Sequence, residues 1–120
     1  MRKSQQEDGG ERALDQYESN MLKQQAIEVY QRILNDFPEF PYLDKVRFFM
    51  AHEYLELGQT DEMIRQYQTL IGQFPDSQYT PEAHLLLGDY YFNEKQDVEQ
   101  STRHYEAVLK YPQSSAVAAA

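Results

Sequence analysis

The feature that most constrains this chain is a proline that returns at fixed spacing behind an aromatic residue. Phe37-Pro38, Phe74-Pro75 and Tyr111-Pro112 follow one another at intervals of 37 residues. Each pair closes a stretch whose apolar residues recur at helical spacing: Tyr30, Ile33 and Leu34, then Tyr67, Leu70 and Ile71, then Tyr105, Val108 and Leu109. The third stretch sits one residue closer to its proline, so its register is slightly slipped. Proline has no backbone N–H and disfavours the α conformation in the residue before it, so each pair stops a helix.

A second helical segment precedes each of the last two stretches. One runs from Leu43 to Leu57 and ends at Gly58, a residue suited to a left-handed helix end, with Thr60 or Asp61 placed to cap the next helix. The other begins at Thr80-Pro81-Glu82, with Thr80 as N-cap and Pro81 in the first turn, and runs to about Asn93. Asn93–Asp97 then makes the turn. The repeating unit is helix, tight turn, helix, proline stop. The first unit has no glycine where its turn belongs. Its helices either run together from about Glu11 to Asp36 or leave the first one frayed.

In these residues the chain resembles the tetratricopeptide repeat family, whose unit carries Leu-Gly-x-x-Tyr in its first helix, Ala-x-x-x-Phe in its second and a closing proline. The third unit has Leu87-Gly88-Asp89-Tyr90-Tyr91, Ala107 and Pro112. The second has Met50-Ala51-His52-Glu53-Tyr54, Met63-x-x-x-Tyr67 and Pro75. The first keeps Tyr17, Ala26-x-x-x-Tyr30, Ile33 and Pro38, with Ala13-Leu14 in place of Leu-Gly. The third also departs from the pattern, with Gln100 and His104 where small and aromatic residues are usual. The resemblance implies an all-α fold: a right-handed α-solenoid of about three antiparallel helix pairs, spanning roughly residues 11–38, 43–75 and 80–112. Residues 1–10 read as a disordered lead-in or linker. Residues 113–120 read as the start of a further helix, cut short. The long 37-residue unit, with its FPDSQYTPEA joint, resembles repeats of bacterial envelope proteins, of the Tol-Pal coordinator, outer-membrane assembly lipoprotein and gliding-motility types. A periplasmic or outer-membrane-associated setting is expected on that resemblance alone.

Composition narrows the function. Twenty acidic against 11 basic residues in a chain of 120 give a net charge of −9, which disfavours nucleic acid and anionic lipid. There is no cysteine, so disulfides and thiolate metal sites are excluded. His52, His84 and His104 lie too far apart in sequence for a helical metal pair, and no phosphate loop follows Gly9-Gly10. A non-catalytic chain with no cofactor and no metal is expected.

The family implies a groove lined by the first helices. Its positions fall at Lys45, Phe48, His52 and Leu55 in the second unit and at Glu82, Leu85, Asp89 and Phe92 in the third, with Asp15 and Glu18 corresponding in the first. A protein or peptide partner would bind there, or dock on a helix face. Phe48 and Phe92 suit core packing equally well, and His52 and Asp89 are neighbours if the two first helices lie side by side. The other reading is a structural spacer that self-associates through its terminal helices. The side of the last helix carrying Tyr105, Val108 and Leu109 is expected to need covering by another chain or by further sequence.

Overall fold

The computed structural model describes the backbone of residues 2–111 and the side chains from residue 10 onward. Among these are five helices: α1 (Arg2–Asp36), α2 (Leu43–Glu56), α3 (Thr60–Gln73), α4 (Thr80–Asn93) and α5 (Val98–Val108). Each packs mainly on its neighbour in sequence, α1 on α2, α2 on α3, α3 on α4 and α4 on α5. The result is an all-α solenoid of helix pairs. Pro112 and the short helix expected beyond it lie outside the described residues.

Helix α3 shows how one face drives the packing. Met63, Gln66, Tyr67 and Leu70 follow i, i+3, i+4, i+7 spacing, and all are buried. Met63, Tyr67 and Leu70 join Ala51 of α2 and Ala83, Leu87 and Tyr90 of α4 in one core, flanked by Phe48, Tyr54, Leu55 and Tyr79. Arg47 reaches from α2 to the buried Gln66, its guanidinium donating to Oε1 at 2.7 Å. The Tyr67 ring is wholly enclosed and its hydroxyl has no hydrogen-bond partner among the described residues. A buried tyrosine hydroxyl ordinarily reaches water or a backbone group. Tyr111 does so, donating to the Pro75 carbonyl oxygen at 2.8 Å, but Tyr67 does not.

The pair α4–α5 depends on the smallest side chain. A Cβ at Gly88 would lie 2.6 and 2.7 Å from two ring carbons of Tyr105. That closeness also explains the apparent departure at Gln100 and His104. The α4–α5 turn holds one more residue than the pattern, so the small and aromatic positions are filled by Ser101, which is buried, and Tyr105. Gln96 takes φ 53° in this turn, a left-handed conformation costly for a side chain. Asp97 then caps α5, accepting from the Gln100 N–H at 3.1 Å. The expected caps at Thr60 and Thr80 are not made: Gln59 and Tyr79 precede those helices and give no side-chain cap. Thr80 is buried and its hydroxyl donates instead to the Phe74 carbonyl oxygen, tying the start of α4 to the end of α3. Ser77 of the same joint donates to Asp44 at 2.6 Å.

The first unit is where the chain departs from three pairs. Its two segments run together as one helix of 35 residues, which also takes in residues 2–10, read above as a lead-in. Gly58 ends α2 at φ +76°, the conformation a tight turn requires. Its counterpart 37 residues earlier is Met21, for which that conformation is strained. The lead-in itself is rich in Arg, Lys, Gln and Glu, all strong helix formers, which offsets Gly9 and Gly10.

Three substitutions test this packing by thermal or denaturant unfolding. Gly88→Ala is expected to lose about 1–3 kcal/mol by overpacking against Tyr105, and Gly58→Ala about 1 kcal/mol through its left-handed backbone. Tyr67→Phe removes a buried hydroxyl without a partner and is expected to leave stability equal or higher. A clear loss there would show that the hydroxyl is satisfied.

Candidate protein-binding surface

The eight residues expected to line a groove occupy α2 and α4, but the fold uses them unequally. Phe48 is half-buried, its ring centroid 5.8 Å from that of Tyr67 and 5.0 Å from that of Tyr79. Leu55 flanks the same core. Asp89 accepts a hydrogen bond from the Tyr105 hydroxyl at 2.6 Å, across the α4–α5 pair. Burial and that carboxylate push Tyr105 up to about 12. His52 sets Nε2 3.3 Å from Glu56 on its own helix, and Glu56 also meets Lys23 of α1 at 3.5 Å. His52 and Asp89 therefore have separate partners. Glu82 is half-buried, and its charge adds to the burial that raises the Tyr67 hydroxyl. Leu85 is half-buried, whereas Lys45 and Phe92 are exposed, Phe92 at 53%.

Beside these positions an open cleft of about 380 Å³ is lined by Leu55, Thr60, Tyr90, Glu94 and Lys95. It lies where the α2–α3 turn meets the end of α4. Its walls offer two apolar side chains and one charge of each sign, a mixture suited to a polypeptide side chain. Among the described residues no group of three metal-ligating side chains comes together. No helix there is long and apolar enough to cross a membrane.

The expectation that the last helix leaves an apolar side open is corrected in part. Val108 is buried and Tyr105 packs on Gly88, so of the three named residues only Leu109 is exposed. The packing of α5 onto α4 covers Tyr105 and Val108 and leaves Leu109 open.

Sequence reasoning missed one pair. His84 of α4 and His104 of α5 stand with their Nδ1 atoms 3.0 Å apart, one donating to the other, and Tyr91 stacks on His104. Spacing within a single helix could not reveal this, because the partners lie on opposite arms of an antiparallel pair. Only the register of α4 against α5, which follows a turn one residue longer than the pattern, brings the two together. Burial, then the charges of His104 and Lys110, push His84 down to about 4, and burial lowers His104.

The tetratricopeptide repeat family model matches residues 12–39 and 54–77. The first match falls on α1 and the Phe37-Pro38 stop, the second on the end of α2, all of α3 and the joint through Ser77. These two repeats support a tetratricopeptide assignment, and α4–α5 extends the same helix-pair geometry beyond the matched residues. No curated protein and no solved structure gives a significant match.

The histidine pair makes a pH prediction. The unfolded chain protonates His84 near 6.5, whereas the folded chain resists until about 4. The unfolded state therefore gains protons first, and stability present above pH 6.5 is lost as pH falls. With solvent screening of a half-exposed pair, about 1 kcal/mol should be lost between pH 6.5 and 5. His84→Gln should flatten that part of the stability curve, and an unchanged slope would rule the pair out as its origin.

Proposed function

We propose that the chain is a non-catalytic scaffold that binds a segment of a partner protein along the first helices of its pairs. Tetratricopeptide repeats generally mediate protein–protein interaction, and the family is typically non-catalytic. The observation that carries the reading to this chain is Phe92, a large aromatic side chain that the fold leaves 53% exposed on α4. Exposed aromatics anchor protein interfaces. Lys45, exposed on α2, supplies a charge that the packing does not use. A bacterial envelope or motility assembly is the proposed setting, on the strength of the long unit and its FPDSQYTPEA joint alone.

The groove is tested without disturbing the fold. Asp89 is unsuitable, because its reversal would release Tyr105. Lys45→Glu combined with Phe92→Ala should keep the helical circular dichroism and unfolding midpoint of the parent. Peptides selected on the parent from a displayed library should bind this variant at least about tenfold more weakly, equivalent to about 1.4 kcal/mol. Unchanged peptide affinity would overturn the groove reading. The spacer reading is favoured by a different observation, the exposed apolar residues of α1.

A further inference from the structure

Helix α1 touches the rest of the chain along one side only. Ile27 is its sole buried residue among those described, and Lys23 reaches Glu56 of α2 from the same side. The opposite face carries Leu14, Met21, Leu22 and Val29, exposed by 57%, 44%, 66% and 57%. At 3.6 residues per turn these four fall within an arc of roughly 100°, the width of an apolar stripe that packs on another element. Nothing in the described chain covers it.

The charges on this face identify what does. Glu11 and Glu18 lie on its first half and Arg32 lies on its second, with Asp36 beyond Arg32 at the end of the helix. Glu11, Glu18 and Arg32 have no ion-pair partner among the described residues. If a second α1 lies antiparallel, with the two-fold axis between Met21 and Leu22, Leu14 falls opposite Val29 of the second copy. Met21 falls opposite its Leu22, Glu18 opposite its Gln25 and Glu11 opposite its Arg32. Every apolar residue meets an apolar residue, and both cations meet carboxylates. An isologous two-fold contact demands this self-complementarity, since each pair occurs twice. Parallel pairing fails on two counts: it sets Glu11 on Glu11, Glu18 on Glu18 and Arg32 on Arg32, and it brings both α2–α5 bodies to the same end. Antiparallel pairing sends the bodies to opposite ends and overlaps about 33 Å of helix, at 1.5 Å per residue.

We infer that the exposed face of α1 is an antiparallel dimer interface for a second copy of this chain, in the register Leu14–Val29, Met21–Leu22 and Glu11–Arg32. This pairing does not depend on the groove reading, and its failure would leave Lys45 and Phe92 untouched.

The test is light scattering on the whole chain at high micromolar concentration. Twice the chain mass is expected for the parent. Leu22→Glu, at an exposed position beside the axis, should return the monomer mass with helicity unchanged. Arg32→Glu should weaken the dimer about tenfold, and adding Glu11→Arg should restore it. Because the chain has no cysteine, single cysteines report the register. Leu14→Cys mixed with Val29→Cys should form a crossed disulfide dimer readily, and each alone should not. A monomeric parent, a dimer indifferent to Leu22→Glu, or efficient crosslinking of Leu14→Cys to itself would each overturn the inference.

Discussion

The stack depends on how closely two helices can approach, and that is set by residues with little or no side chain. Gly88 lets the Tyr105 ring rest on the backbone of α4, at a distance where a single added methyl would collide. The ring then sends its hydroxyl to Asp89 one residue further on, so contact and hydrogen bond lock the same two helices. Ala51 holds the matching place in α2, buried in the core with Met63 and Tyr67. Burial of an aromatic ring supplies the driving force, and the small partner supplies the geometry. The same packed pair sets His84 beside His104.

The second constraint is turn chemistry, and it divides the chain. Where Gly58 can enter the left-handed region, α2 folds back into α3. Where Met21 stands in its place, the backbone stays helical and the first unit opens into a rod. One substitution at a turn thus changes the outer surface. A folded-back pair would hide much of its apolar content, whereas the rod keeps only the Ile27 side packed. A dimer through the other side would return to the first unit the partner that its own chain does not supply.

Much of this was legible in the sequence because it rests on local rules. The proline stops and the left-handed glycine each have a backbone cause that acts within a few residues, and the small residues at 51 and 88 fall at fixed places in the repeat pattern. What escaped depends on the relation between distant segments. Ser101 and Tyr105 replace Gln100 and His104 because the turn before them, which holds Gln96 at positive φ, gains one residue. Asp89 was assigned to a groove, and only the arrival of Tyr105 from α5 shows what holds its carboxylate. Thr80 has the side chain of a cap but is buried, and it serves the preceding helix instead. The sequence left two options for the first unit, and the missing glycine identified the place without deciding between them.

The claim on which the surface argument turns is that α1 is one helix and not a hairpin. A pair of spin labels on cysteines introduced at Arg12 and Asn35 measures this directly, with excess unlabelled protein added to suppress distances between copies. A continuous helix places the two backbones about 35 Å apart, at 1.5 Å per residue over 23 residues. A folded-back pair would bring the labels into the range of adjacent helices, with axes about 8–10 Å apart. The long distance is the predicted result, and a dominant short one would contradict the account.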